Sequence, residues 1–432
     1  MGQDFLSTRI FIKFANYQQY AIMNILVMKK QLKLLLLTVL SVLSFTYTHA
    51  QSDIPFNINH GPYLQEVTAD GASFNFTTSH PAFSFIELKQ KGDSHSQTYY
   101  HTEYGMHAAY NTFHSIRAEK LKPGSTYQYR IHTKEMREFQ PYKIVFGDSI
   151  TSQWYTFKTT DPDSKGGSLF VASDIHNDAA KLKTLLELCE YKTCDAFFYA
   201  GDVMSYMENE ETPFKAFIDT SVKMFATSTP FELVRGNHET RGKMARIYPK
   251  LFPKKNGKIY GSYRIGDIMI VMIDCGEDKP DTIPAYAGLL DFDNYRSEQA
   301  TWLKELVKTK EFKKAKYRIV ISHYPTINTF ANRPINHGCN DLARKLLPIL
   351  NKANINLMIA GHTHKFAFHK ANSAGNSFPV IVGSNQSATR LDIQKGRIKA
   401  KVVDRKGQIL LETVFESVSY THLRAHETLM NL

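Results

Sequence analysis

The chain has 432 residues, with 53 Lys and Arg against 41 Asp and Glu, 43% hydrophobic and 12% aromatic. This make-up excludes a disordered chain, a collagen-like repeat and a multi-span membrane protein, and the length calls for two or three domains, each burying its own core. The formal charge is +12, or +8 without residues 1–50 and 418–432, a mild excess that would favour anionic ligands by steering, but no Lys/Arg block of the kind that marks a nucleic-acid tail accompanies it and charge alone decides nothing.

Met28 opens a stretch with Lys29, Lys30 and Lys33 followed by an apolar run from Leu34 to Phe45. A charged start, a short apolar core and small residues ending at Ala50 form the pattern of a secretory signal peptide, residues 28–50, cut before Gln51. The competing reading is a membrane anchor, but the run is about a dozen residues where a spanning helix needs about 20. Residues 1–27 then read as an over-extended start, and the mature protein as secreted or periplasmic with no membrane span. Residues 418–432 begin VSYTHLRAHET, which resembles translated sequencing-adapter sequence more than a protein segment.

Residues 51–160 carry short alternating stretches (ASFNFTT, SFIELKQ, HSIRAEKL, TYQYRIHT, SQWYTFKTT) between Gly, Pro, Ser and Asp, the pattern of an all-β sandwich. Leu121-Lys122-Pro123-Gly124 running into Tyr127 and Tyr129 resembles the tyrosine corner of fibronectin type III domains, where a tyrosine hydroxyl bonds back to the backbone. A simple Pro-Gly turn before a strand is the alternative. Residues 161–167, polar and Gly-rich, read as a linker.

From residue 168 to 417 the period changes. Near-continuous apolar runs (SLFVAS, AFFYAG, PFELVR, IMIVMI, YRIVIS, INLMIAG, FPVIVG) alternate with helical stretches such as Asp178 to Tyr191 and Ser297 to Leu306, as in an α/β domain whose strands are covered on both faces. Five of the seven runs end in polar clusters: Asp174-Ile-His176, Gly201-Asp202, Gly236-Asn237-His238-Glu239, His323, and Gly361-His362-Thr-His364. Ligands bind at the carboxyl ends of strands in open α/β sheets, so these clusters should converge at one edge. Two divalent ions about 3.5 to 4 Å apart need a bridging carboxylate, neutral imidazoles and further oxygens, and the five clusters supply that inventory.

In that order, D-x-H, G-D, G-N-H-[DE], H and G-H-x-H, the clusters resemble the signature of the calcineurin-like metallophosphoesterase superfamily, over roughly residues 167 to 416. The resemblance implies a two-sheet α/β sandwich flanked by helices and two divalent metal ions (Mn, Zn or Fe). One ion would be held by Asp174, His176, Asp202 and His364, the other by Asp202, Asn237, His323 and His362, with Asp202 bridging. Gly201 and Gly236 would let the backbone turn beneath the ions. His238 would face the substrate together with Asn237, donating to a phosphate oxygen or protonating the leaving group, and Glu239 would orient His238. Arg235, Asn177, Tyr206, Tyr324, Arg333 and His337 lie near the motifs, where contact with substrate and a structural role are both open.

The preceding sandwich, His60-Gly-Pro-Tyr-Leu64 and Gln299-Ala-Thr-Trp302-Leu303 are similar to purple acid phosphatases. Those enzymes carry D-x-G and G-D-x-x-Y, the tyrosine binding a ferric ion. Here position 176 is histidine, the matching position is Ser205, and Tyr206 is one residue out of register. The departure implies His176 in place of the tyrosine and no purple charge-transfer band. Cys189 and Cys194, or Cys275 and Cys339, are open as disulfides or as packing thiols.

The resemblance therefore implies a metal-dependent hydrolase of a small phosphorylated substrate, most simply a phosphomonoesterase resembling acid phosphatases. The alternatives are a phosphodiesterase or nucleotide hydrolase of the same superfamily and, more remotely, a non-catalytic surface binding module. Oligomeric state is not legible.

Overall fold

The computed structural model describes residues 23–36, 38, 54–252, 254, 257–329 and 336–416. Most of the signal-peptide segment, the residues before 23 and the segment from 417 onward lie outside them. Two compact units divide the chain, Met1–Pro55 and Phe56–Leu432. In the first, residues 23–36 are helical with exposed side chains. No helix among the described residues is long and apolar enough to cross a membrane.

The second unit opens with a seven-stranded antiparallel arrangement built on two long strands, Gly71–Gln90 and Thr126–Gln140. Alternate residues point inward, so Phe74, Phe76, Ile86, Tyr129, Ile131 and Phe157 fill one core. The Tyr127 hydroxyl accepts the backbone N–H of Lys122 at 2.8 Å, the back-bond expected of that tyrosine. Strand Ile58–Gln65 ties this layer to the rest. His60 stacks on Phe214 and meets Asp219 at 2.8 Å, and buried Tyr63 donates to Leu251 O at 3.1 Å.

Residues beyond 166 form two six-stranded sheets packed face to face. The first runs Phe231–Val234, Ala196–Ala200, Gly167–Ala172, Ser387–Gln394, Arg397–Asp404, Ile409–Glu416. The second runs Gly261–Ile265, Ile268–Ile273, Tyr317–Ser322, Leu357–Ala360, Val380–Val382, Ala367–His369. Leu169, Val171, Phe198, Ile270, Ile319 and Ile359 interdigitate between them, each burial worth about 1.5–3 kcal/mol.

Helix Ala179–Leu188 buries Leu182, Leu185 and Leu186 on the outer face of the first sheet. Asp178 caps it by accepting from Lys181 N at 2.9 Å. Helices Phe292–Leu306 and His337–Leu350 cover the second sheet. The mixed α/β architecture expected from the apolar runs is thus observed, with both sheets covered. Parallel pairing joins Gly167–Ala172, Ala196–Ala200 and Phe231–Val234 in one sheet and Ile268–Ile273, Tyr317–Ser322 and Leu357–Ala360 in the other. All their carboxyl ends therefore open on one edge.

Candidate metal centre

At that edge the chain turns abruptly after each strand. Asp174, His176, Asp202, His362 and His364 all adopt positive φ, between 52 and 70°, a conformation that L-residues enter at a cost of about 1–3 kcal/mol and that clusters at functional sites. The turns are pinned to one another: Asp174 N donates to Gly201 O and His176 N to Asp202 O. Gly201 sits at φ +82°, where a Cβ would meet the His323 ring at 2.7 Å. Gly236 has no left-handed φ. It is needed because a Cβ there would run into the Asp202 carboxylate, so its role is close approach rather than the sharp turn expected.

Ligand-capable atoms of Asp174, His176, Asp202 and His364 lie within 4.8 Å of one another, and so do those of Asp202, His323 and His362. Asn237 joins the second group through Oδ1, 3.1 Å from His362 Nδ1. His176 Nε2 and His364 Nε2 face each other at 3.2 Å. His323 Nδ1 donates to Ala200 O at 2.9 Å, which leaves Nε2 as the free donor atom, 3.0 Å from Asp202 Oδ2. The Asp202 carboxylate stands between the groups, its Oδ1 accepting His238 N at 2.9 Å.

Charge in the cluster suits a cation. Asp174 and Asp202 are buried. Burial opposes their ionisation, but neighbouring histidines more than offset it, His364 and His323 for Asp174 and His323 and His238 for Asp202, and hold both below the usual carboxylate range. Burial pushes His176 down to about 4 and His362 to about 3, so both are neutral at pH 7. His323 and His364 are the exceptions: burial disfavours charge on His323, yet Asp202 and Asp174 raise it to about 10, and the contact with Asp174 raises His364. Ionised carboxylates and neutral imidazoles are the state in which side chains bind metals. Two buried polar atoms of the cluster, Asp174 Oδ1 and His323 Nε2, make no well-aligned hydrogen bond; their polar neighbours are ligand-capable atoms of the same cluster, His364 Nε2 at 3.3 Å and Asp202 Oδ2 at 3.0 Å. That pair of orphans, one in each group, fits a cation at each position.

His238 is set apart. Its Nδ1 donates to Ser205 O at 2.6 Å, and its Nε2 stands 3.9 Å from Asp202 Oδ2. The expectation that Glu239 orients His238 is corrected. Fully buried Glu239 accepts the backbone N–H groups of Asp202 (2.9 Å), Gly236 (2.9 Å) and Met204 (3.0 Å), and the Ser205 carbonyl fixes the His238 ring. Burial and the Asp202 charge raise the Glu239 carboxyl to about 7.

Of the residues left open, Arg235 is structural, paired with Asp274 at 2.8 Å while Gln299 brackets the Asp274 backbone from both sides. Asn177 accepts from Ser205 N, Tyr324 is buried against Gly276 O, and His337 meets Asp293. Tyr206 is half-exposed beside the site with its ring 5.5 Å from His238, and Asn177 and His337 are exposed as well. Arg333 lies outside the described residues. All four cysteines are free and buried, so neither disulfide pairing is formed.

Sequence reasoning missed one network. Arg241 forks onto Glu277 and Asp278 at 2.7 and 2.9 Å, and Asn336 links Asp278 (2.8 Å) to His362 Nε2 (3.4 Å). The acidic pair four and five residues beyond the strand end at Ile273 was its only sequence signal.

Residues 168–366 match the model of the calcineurin-like phosphoesterase family. The chain carries a calcineurin-like phosphoesterase domain. Purple acid phosphatase 18 of Arabidopsis thaliana is 23% identical over 226 residues, covering 48% of this chain and 46% of that protein, so the match spans about half of the relative's length. Among solved structures, a purple acid phosphatase from yellow lupin (Lupinus luteus) seeds superposes with TM-score 0.61 at 14% identity, covering 82% of this chain and 74% of that one. PhoD superposes with TM-score 0.56 at 12% identity, covering 83% and 90%. Both extend beyond the phosphoesterase domain and show a shared fold.

Proposed function

We propose that the chain is a secreted or periplasmic phosphomonoesterase that holds two divalent ions, one on Asp174, His176, Asp202 and His364 and one on Asp202, Asn237, His323 and His362. The observation that carries this reading is the pair of orphaned atoms, Asp174 Oδ1 and His323 Nε2, on either side of a buried carboxylate. When bound, the ions would neutralise phosphoryl oxygens and lower the pKa of water.

The chain's own residues supply the rest. With Nδ1 tied to the Ser205 carbonyl, His238 presents Nε2, and a proton held there serves the departing alkoxide. Glu239 braces two backbone segments by accepting the N–H groups of Asp202 and Met204 from one and of Gly236 from the other. His176, at the position where purple acid phosphatases carry glycine, would supply the ligand that their tyrosine supplies from the position of Ser205. Support for export is the charged-then-apolar pattern from Met28, and intact-mass analysis of exported protein should find Gln51 at the amino terminus.

The functional test compares 4-nitrophenyl phosphate with bis(4-nitrophenyl) phosphate after loading with Mn, Zn or Fe(II). The monoester should turn over faster. Preference for the diester would favour a phosphodiesterase, and no hydrolysis of either would contradict the reading.

A further inference from the structure

Just beyond the His238 motif the charge pattern becomes one-sided. From Arg241 to Lys258 there are seven basic residues and no acidic one. Part of this charge is neutralised in place: Arg241 by Glu277 and Asp278, Lys254 by Glu232 at 2.6 Å, and Lys258 by Glu298 at 2.7 Å. Arg246 has no ion pair or hydrogen bond among the described residues, and it lines a cavity of about 640 Å³. That volume lies in the range of small-molecule sites.

Much of the remaining lining is apolar. Residues 285–292 contribute Ala285, Leu289, Leu290 and Phe292, and with them the Asp291 carboxylate, which accepts from Asn294 Nδ2 at 2.7 Å, while Glu298, also in the lining, is held by Lys258; Leu289 keeps 68% of its surface exposed. Tyr286 is locked in the wall by its hydroxyl, which donates to Glu277 Oε2 at 3.0 Å. An aromatic and aliphatic lining that also holds one guanidinium without an ion pair suits a ligand with an apolar body and an anionic end. The cavity also shares Thr240 and Arg241 with the metal edge: Thr240 Oγ1 donates to Asn237 O at 2.7 Å, and Arg241 reaches His362 through Asp278 and Asn336.

We propose that this cavity receives the alcohol side of the ester, and that the preferred substrates are phosphate esters of apolar, preferably aromatic, alcohols bearing a second anionic group that Arg246 binds. This rests on the phosphoesterase reading above. The reaction is ordinary hydrolysis: water adds to phosphorus, the P–O bond to the alcohol breaks, and the alcohol leaves with a proton.

Two readouts separate the site from the reaction. The first is equilibrium binding of 6-hydroxy-2-naphthoate, by its own fluorescence, to metal-loaded protein, with 2-naphthol as the ligand lacking the anion. The second is the kcat/KM ratio between 6-phosphooxy-2-naphthoate and 2-naphthyl phosphate. Arg246→Gln should weaken naphthoate binding about tenfold or more and lower the kcat/KM ratio by a similar factor, as expected for a lost charge-assisted contact. Ala285→Trp, which fills the cavity from its exposed wall, should weaken both naphthoate and naphthol. Unchanged naphthoate binding in both variants overturns the proposal, as does naphthoate binding that fails to compete with 4-nitrophenyl phosphate. If no ester is hydrolysed while Arg246→Gln still abolishes naphthoate binding, the phosphoesterase reading fails and the amphipathic-anion site stands.

Discussion

Glu239 accepts the backbone N–H of Asp202 at 2.9 Å and does not touch His238, its neighbour in the chain. A buried carboxylate thus sets the position of the loop whose own side chain stands between the two ligand groups. Gln at 239 can offer one acceptor oxygen only, so its amide must face a backbone donor and leave at least one N–H unpaired. Glu239→Gln should cost about 1–3 kcal/mol, read as a lower unfolding midpoint. Its residual activity should keep the wild-type dependence on leaving group. A loss concentrated on poor leaving groups would return Glu239 to a role in orienting His238.

His238 and the ligand histidines should separate experimentally. His238→Ala should retain both ions yet lose about 10²- to 10⁴-fold in rate, the usual worth of general acid catalysis. The loss should shrink for nitrophenyl phosphate, whose leaving group needs little protonation, and stay large for alkyl phosphates. Loss of metal from this variant would make His238 a ligand or the support of one. Equal losses for both esters would assign it to phosphate positioning.

A pH effect is expected far from the metal edge. His114 is buried in the β-rich layer beside Thr78, and burial pushes its pKa down to about 4. The unfolded chain takes up the proton near 6.5, so below that pH it binds more protons than the folded state and stability falls. The contribution is complete above about pH 6.5 and is lost as pH drops toward 4, amounting to about 3 kcal/mol. His114→Gln has no such group. The gap in unfolding free energy between wild type and variant should therefore narrow by about that amount between pH 7 and pH 4 in urea melts. A gap independent of pH would mean that His114 titrates normally.

The sequence indicated which residues gather at one edge because each follows an apolar run, and a run that must be buried fixes where its strand ends. Asp174, Asp202, Asn237, His323 and His362 needed nothing else to be brought to one edge. Glu239 was misread because its partners are backbone N–H groups of a loop more than thirty residues upstream, and no spacing rule reports such an approach. The pairing of Arg241 and Asn336 with the Glu277–Asp278 acidic pair was hidden for the same reason, since its members come from three separate loops. Cys189 and Cys194 are close in sequence, but burial pushes both thiols up, to about 12 and about 11, and each is packed as an apolar group at a different element's end.

Asp202 bears on the central claim most directly, since only a bridging carboxylate serves both ions. Metal content of purified wild type and Asp202→Asn, measured by mass spectrometry after loading with Mn, Zn or Fe(II) and removal of free metal, decides it. The account predicts two ions per chain in the wild type and depletion of both in the variant, with turnover lost in parallel. Asp202→Asn that keeps two ions and near-normal turnover would contradict it.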